Sequence, residues 1–284
     1  MSNENMQNTA QNNVSRKKKD IKTTLRNVLV LILVAVISVA GTLAFLNDQT
    51  TKKVNTFTGS AGIDITLTED NWDNTGEAMA ANYTPKMIIP KNPTLKNTSS
   101  AANSDEWVAL RVDYTYNNGT TDVATTRTDL ETNLIETLGI DSNNWFKLST
   151  KESASGDATK YDIYLYKSKL ATGATATLFN QVQIKEQDAL KKSDGTAKKL
   201  GSAADGSGGT PVFDANGKYI NFKITLYGAA IKNDASLTEG LTSINTSDIG
   251  DIDMTDLTPA ADAKDSRKIA LALADLLKTL PATP

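Results

Sequence analysis

The 284-residue chain contains no cysteine and no histidine. Without cysteine there is no disulfide, no thiol nucleophile and no thiolate metal site, so the fold must rest on core burial and strand pairing. Without histidine the commonest general base and the commonest zinc ligand are missing, which removes most hydrolase constellations. The helical HExxH arrangement, in which two imidazoles hold one metal and a glutamate acts as base, cannot form. No carboxylate spacing suited to an all-oxygen zinc site takes its place, and no internal repeat is present.

What the chain does have is concentrated first between Arg16 and Gly59. Arg16, Lys17, Lys18, Lys19, Lys22 and Arg26, against the single acid Asp20, precede a run from Val28 to Leu46 that carries no charge. Basic-then-apolar order keeps the amino end on the cytoplasmic side and marks an export signal. The 19 residues of that run fall between a signal core of about 7 to 15 residues and a membrane span of about 20. Small side chains at Gly41, Thr42 and Ala44 suit a signal peptidase cutting between Ala44 and Phe45. The alternative is an uncleaved signal anchor. The first fifteen residues, rich in Asn, Gln and Ser, read as a disordered cytoplasmic tail that leaves with the leader.

Removing residues 1–44 leaves 240 residues with 24 basic and 31 acidic side chains, a formal charge of −7. That length supports a sizeable core, and that balance argues against a nucleic-acid partner.

Beyond Gly59 the chain reads mostly as strands. Ile63, Ile65 and Leu67 alternate with Asp64, Thr66 and Thr68, the period of a half-buried strand. A loop over residues 70–82 follows, then a segment in which Pro85, Pro90 and Pro93 favour extended structure. EWVALRVDYTY puts Val108, Leu110, Val112, Tyr114 and Tyr116 on one face and Trp107, Ala109, Arg111 and Asp113 on the other, as in a central strand. From Thr128 the spacing of Leu130, Leu134, Ile135 and Leu138 predicts one inserted helix, with Thr128 and Glu131 as a capping box and Gly139 as the stop. Residues 145–170 read as a hairpin whose loop lies over 153–159. The Gly-rich stretch Lys191 to Thr210 reads as a flexible insertion, and Ile220, Phe222, Ile224 and Leu226 as a last core strand. Near the end, Ile269, Leu273, Leu276, Leu277 and Leu280 fall at helical spacing and predict an amphipathic helix packing on the sheets, with a partner-binding or membrane-surface helix as the other reading. The final LPATP departs from an LPxTG wall-sorting signal at its glycine.

These elements predict a mainly all-β fold, a jelly-roll-like antiparallel β-sandwich with an inserted α-helix and a C-terminal amphipathic helix. The expected organisation is a tail and signal peptide over 1–44, a free segment over 45–58, a sandwich over 59–258 and a helix and tail over 259–284.

GTLAFLNDQTTKKVNTFTGSAGIDITL resembles the leader and first strand of the TasA and camelysin (CalY) family. The shared features are the small-residue, Ala, aromatic, Asn-Asp junction and the Asn-x-Phe segment at Asn55 and Phe57, with Gly59 or Gly62 behind it. Further along, the Lys96-Asn97-Thr98 turn and the order Trp145, Tyr161, Tyr164, Leu170, Gly173, Thr175, Leu178, Phe179, Val182 resemble later blocks of that family. The resemblance covers about residues 41–231. It implies processing by a SipW-type signal peptidase, transient membrane contact through the leader, and secretion to the extracellular matrix or surface of a bacterium. It also implies self-assembly into biofilm fibres, with other matrix subunits as further partners and no cofactor. In such assembly the segment from Phe45 to about Thr58 adds as a donor strand to a neighbouring subunit, which assigns Phe45, Leu46, Val54 and Phe57 as its buried side chains. A non-polymerising or membrane-anchored surface protein or adhesin is the alternative. The camelysin branch has been classed as metallopeptidases, an activity at odds with a histidine-free chain.

Two acidic stretches could offer oxygen ligands to calcium: Asp248, Asp251, Asp253 and Asp256, and earlier Asp70, Asn71, Asp73 and Glu77. Neither follows the EF-hand pattern, and solvated acidic loops are the simpler reading.

Overall fold

The computed structural model describes residues 63–100, 104–152, 159–203, 207–233 and 241–278, together with the backbone of Asn47–Thr50. The junction at Ala44 and Phe45, and Leu46, Val54 and Phe57, lie outside the described residues. Among the described residues no helix is long and apolar enough to cross a membrane.

The long strand β5 (Glu106–Asn117) organises everything else. It pairs antiparallel along almost its whole length with β14 (Phe222–Lys232) on one side, and on the other with β9 (Tyr161–Tyr166) and β6 (Asp122–Thr125). With β1 (Asn47–Thr50) beyond β14 and β7 (Trp145–Lys147) beyond β9, the main sheet runs β1-β14-β5-β9-β7. Every residue of β5 from Glu106 to Tyr116 is buried, because the sheet is covered on both faces.

One face carries Val108, Leu110, Val112, Tyr114, Tyr116, Tyr164, Ile224 and Leu226. It packs against a second antiparallel layer. There β2 (Ile65–Thr68), β4 (Thr94–Asn97) and β10 (Thr175–Thr177) run in the order β10-β4-β2, and β3 (Ile88–Pro90) pairs with β11 (Gln181–Gln183). Ile65, Leu67, Leu95, Ile89, Ala176 and Val182 fill the space between the layers. The expected faces of β2 and β5 are the observed ones, and the fold is a mainly-β antiparallel sandwich with an inserted and a C-terminal helix.

The opposite face of the main sheet carries Trp107, Ala109, Ile163, Leu165, Tyr227, Ala229 and Ile231 and is covered by the terminal helix, Asp265–Lys278. This helix buries Ile269, Leu271, Leu273 and Leu277, each worth about 1.5–3 kcal/mol of transfer free energy. Leu280 lies outside the described residues.

Three local readings are corrected. The expected loop over 70–82 contains a π-helical turn, Trp72–Gly76, and a short helix α1 (Glu77–Ala80). Tertiary contact holds this turn: a Cβ on Gly76 would run into the carbonyl oxygen of Pro90, and Lys91 lies over the Trp72 ring at 4.5 Å. The inserted helix α2 runs Arg127–Asn133, so its cap is Thr126, whose hydroxyl accepts from the Asp129 N–H at 3.1 Å, in place of Thr128. Glu131 instead receives the Leu138 N–H at 2.9 Å, and the helix ends six residues before Gly139. Finally, the Gly-rich stretch carries a ribbon of β12 (Lys199–Ser202) and β13 (Gly208–Pro211). Leu200 of that ribbon enters the core, and the Gly201 N–H donates to Asp129 at 2.8 Å. Short strands β8 (Thr150–Lys151) and β15 (Ile252–Asp253) pair parallel beside the terminal helix, which is α3.

Candidate functional site

The site is built from the edge of β14. Hydrogen bonds from the Asn117 N–H to the Asn221 carbonyl and from the Asn233 N–H to the Asp105 carbonyl fix the phase of the β5–β14 ladder. In an antiparallel ladder hydrogen-bonded pairs alternate, so odd-numbered β14 residues bond β5. Phe222, Ile224, Leu226, Gly228 and Ala230 therefore turn their backbone N–H and C=O groups to the outer edge. The four residues of β1 lie along one end of that edge, with Asn47 opposite Ile231, Asp48 opposite Ala230, Gln49 opposite Ala229 and Thr50 opposite Gly228.

β1 also lies against β2, the end strand of the second layer, and against α3. It thus sits in a seam where the edges of the two layers run side by side. Past Gly228, no described strand pairs with the outer edge of Phe222–Leu226. A row of backbone donors and acceptors on an edge is a template for another strand.

The structure brings Asn47–Thr50, from near the start of the expected donor segment, onto this edge. The four side chains assigned to that donor role, Phe45, Leu46, Val54 and Phe57, are those outside the described residues.

The acidic stretch does not converge. Asp251 pairs with Lys151 at 2.6 Å, and hydrogen bonds from Lys151 and then Ser149 hold its carboxyl below the usual range. Asp253 accepts from the Thr255 hydroxyl and N–H at 2.6 and 2.8 Å, which likewise lowers its pKa. Asp248 accepts from Asn245, and Asp256 from the Thr258 N–H. At the earlier stretch, the Asp73 N–H is bound by the Glu69 carbonyl within the helical turn. Among the described residues no group of three acids is placed to hold a metal ion.

Two buried polar clusters were not read from the sequence. Beneath the C-terminus of α3, Arg111 forms a two-point pair with Asp113 at 2.6 and 2.9 Å and donates to the Leu277 carbonyl at 3.0 Å. Its guanidinium stacks over the Tyr161 ring at 4.1 Å. On the other face, Asp162 accepts from the Tyr114 and Tyr164 hydroxyls at 3.1 and 3.0 Å and pairs with Lys147 at 2.6 Å. Arg127 of α2 donates to the Tyr164 hydroxyl at 3.0 Å. Burial, reinforced by neighbouring charges, pushes the Tyr114 and Tyr164 phenols well up, so both stay protonated donors. Burial pulls the Arg127 pKa down, but Tyr164, Glu131 and Asp162 outweigh it, and the net shift is upward. Each cluster ties a helix to the main sheet. The available sequence signal was Arg111 and Asp113 two apart on one face of a strand buried on both.

No protein-family model, curated protein or solved structure matches this chain.

Proposed function

We propose that the chain is an exported structural protein without catalytic activity, a subunit of a biofilm-matrix fibre that assembles by strand addition after its leader is removed. The observation that carries this reading is the seat of β1: residues beginning at the third position after the expected cut lie in antiparallel register on the outer edge of β14. The basic flank and apolar run of residues 16–46 support export and a SipW-type peptidase as processing partner.

Backbone magnitudes say what such a strand needs. Four register positions exchange at most four hydrogen bonds, about 0.5–1.5 kcal/mol net each. Fixing four residues costs about 1–2 kcal/mol each, so so short a pairing is marginal by itself. The eleven-residue length of β14 offers more, and apolar donor side chains add about 1.5–3 kcal/mol apiece when buried. An incoming copy's segment in the register of β1 would set its Val54 opposite Ile224. A head-to-tail contact of this kind does not close, and it generates a filament.

A second reading, a non-polymerising surface protein or adhesin, released or held by an uncleaved leader, is favoured by the fact that β1 pairs within its own chain. Intact mass and amino-terminal sequencing of the extracellular protein, with and without the peptidase, and electron microscopy of the purified product separate them. A peptidase-dependent start at Phe45 with fibres is the expected result; a full-length, membrane-retained product or a soluble monomer at high concentration overturns it.

A further inference from the structure

We infer that the free subunit is self-capped: its own Asn47–Thr50 strand occupies the acceptor edge at Gly228–Ile231 and holds the subunit inactive for assembly until it is displaced. This inference rests on the strand-addition reading of the same edge.

The argument is one of exclusion. Gly228 and Ala230 each direct a single N–H and a single C=O outward, and β1 faces both. A neighbour's strand crossing this part of the edge needs the same groups, so the two strands cannot share them. The cap is tethered to its own domain, and such a segment acts at an effective concentration in the millimolar range. In a solution of about 1–10 μM subunit, the tethered strand therefore outcompetes an identical strand from another copy by about 10²–10³-fold. The advantage reverses where subunits are crowded. Because β1 touches both β2 and α3, its departure opens the seam between the layers.

The absence of native cysteine makes a disulfide lock unambiguous. Gln49 and Ala229 are directly opposite, so their Cα atoms fall within the about 4.4–6.8 Å that a disulfide spans. The double variant Q49C/A229C, in the chain starting at Phe45, is oxidised in dilute solution. Q49C/K223C serves as control, because Lys223 lies six residues along the strand, about 20 Å away. The expected result is a monomeric intrachain disulfide in the first variant and at least about tenfold less in the control, given the tethered geometry. The locked protein forms fibres at least about tenfold more slowly than after reduction, as expected if displacement is the gate. An intrachain yield no higher than the control's, or equal assembly of locked and reduced protein, overturns the inference. If the native sequence forms no fibres, the strand-addition reading fails separately. The monomer's disulfide yield then decides capping alone, a control-level yield refuting it and a high yield upholding it.

Discussion

Arg111→Met tests the account of how α3 is held. The Arg111 side chain is 4% and the Asp113 side chain 9% exposed, and a guanidinium nitrogen of Arg111 donates to the Leu277 carbonyl at 3.0 Å. Methionine keeps the stem's packing but removes the two-point pair with Asp113 and the donor to the Leu277 carbonyl. Removing one partner of a buried pair costs about 3–5 kcal/mol, whereas replacing both by apolar groups is often neutral. For the 240 residues behind the expected cut, each kcal/mol lowers Tm by about 2–4 °C, so R111M should lose about 6–20 °C. Urea denaturation followed by tryptophan fluorescence gives the same loss as a shift in midpoint at unchanged slope. The double variant R111M/D113L should recover the part due to the buried carboxylate, while the lost donor to the Leu277 carbonyl remains. A single-variant loss below about 1 kcal/mol, of the size seen for exposed ion pairs, or a double variant worse than either single change, would refute the reasoning.

Other outcomes follow from the same geometry. Asp162→Ala removes the acceptor of two buried phenols and should cost about 2–5 kcal/mol in denaturant, while Tyr164→Phe, which removes one donor to Asp162 and the acceptor of one Arg127 N–H, should cost less. Gly76→Ala forces a Cβ onto the Pro90 carbonyl and should destabilise by about 1–3 kcal/mol, with the near-ultraviolet signal of Trp72 altered. Asp122 is held below the usual carboxylate range by hydrogen bonds from Lys223 and then Asn117. A depressed folded pKa contributes stability that is present above the unfolded value and lost as pH falls through the folded one. D122N should therefore lower the neutral part of the stability curve slightly, flatten its acid limb, and converge with the parent protein once the pH falls below the folded pKa of Asp122.

Much of the sandwich is legible because its strands carry period-two patterns that one face satisfies. Ile63, Ile65 and Leu67, and Val108 to Tyr116, occupy the expected sides. What alternation leaves open is whether the other face is wet. Trp107, Ala109 and Arg111 are buried because α3, more than 150 residues away in sequence, lies on them. Propensity also misleads where tertiary contact decides: WDNTG lacks an apolar period and contains Gly76, yet it coils because Pro90 and Lys91 pack on it. The cap of α2 moved two residues because Thr126, Thr128 and Glu131 all suit a helix start, and only the Asp129 contacts with Thr125 and Thr126 choose between them. The seam was not legible at all, since edges are defined by which strands fail to become neighbours.

The most direct test of strand addition mixes two single-cysteine chains, Q49C and A229C, each starting at Phe45. They are assembled together under reduction, then oxidised and resolved by mass. The account predicts disulfide-linked heterodimers of the two chains in the fibre fraction, joined at the register that β1 shows within one chain. Fibres without that crosslink, or no fibres from either chain, would contradict it.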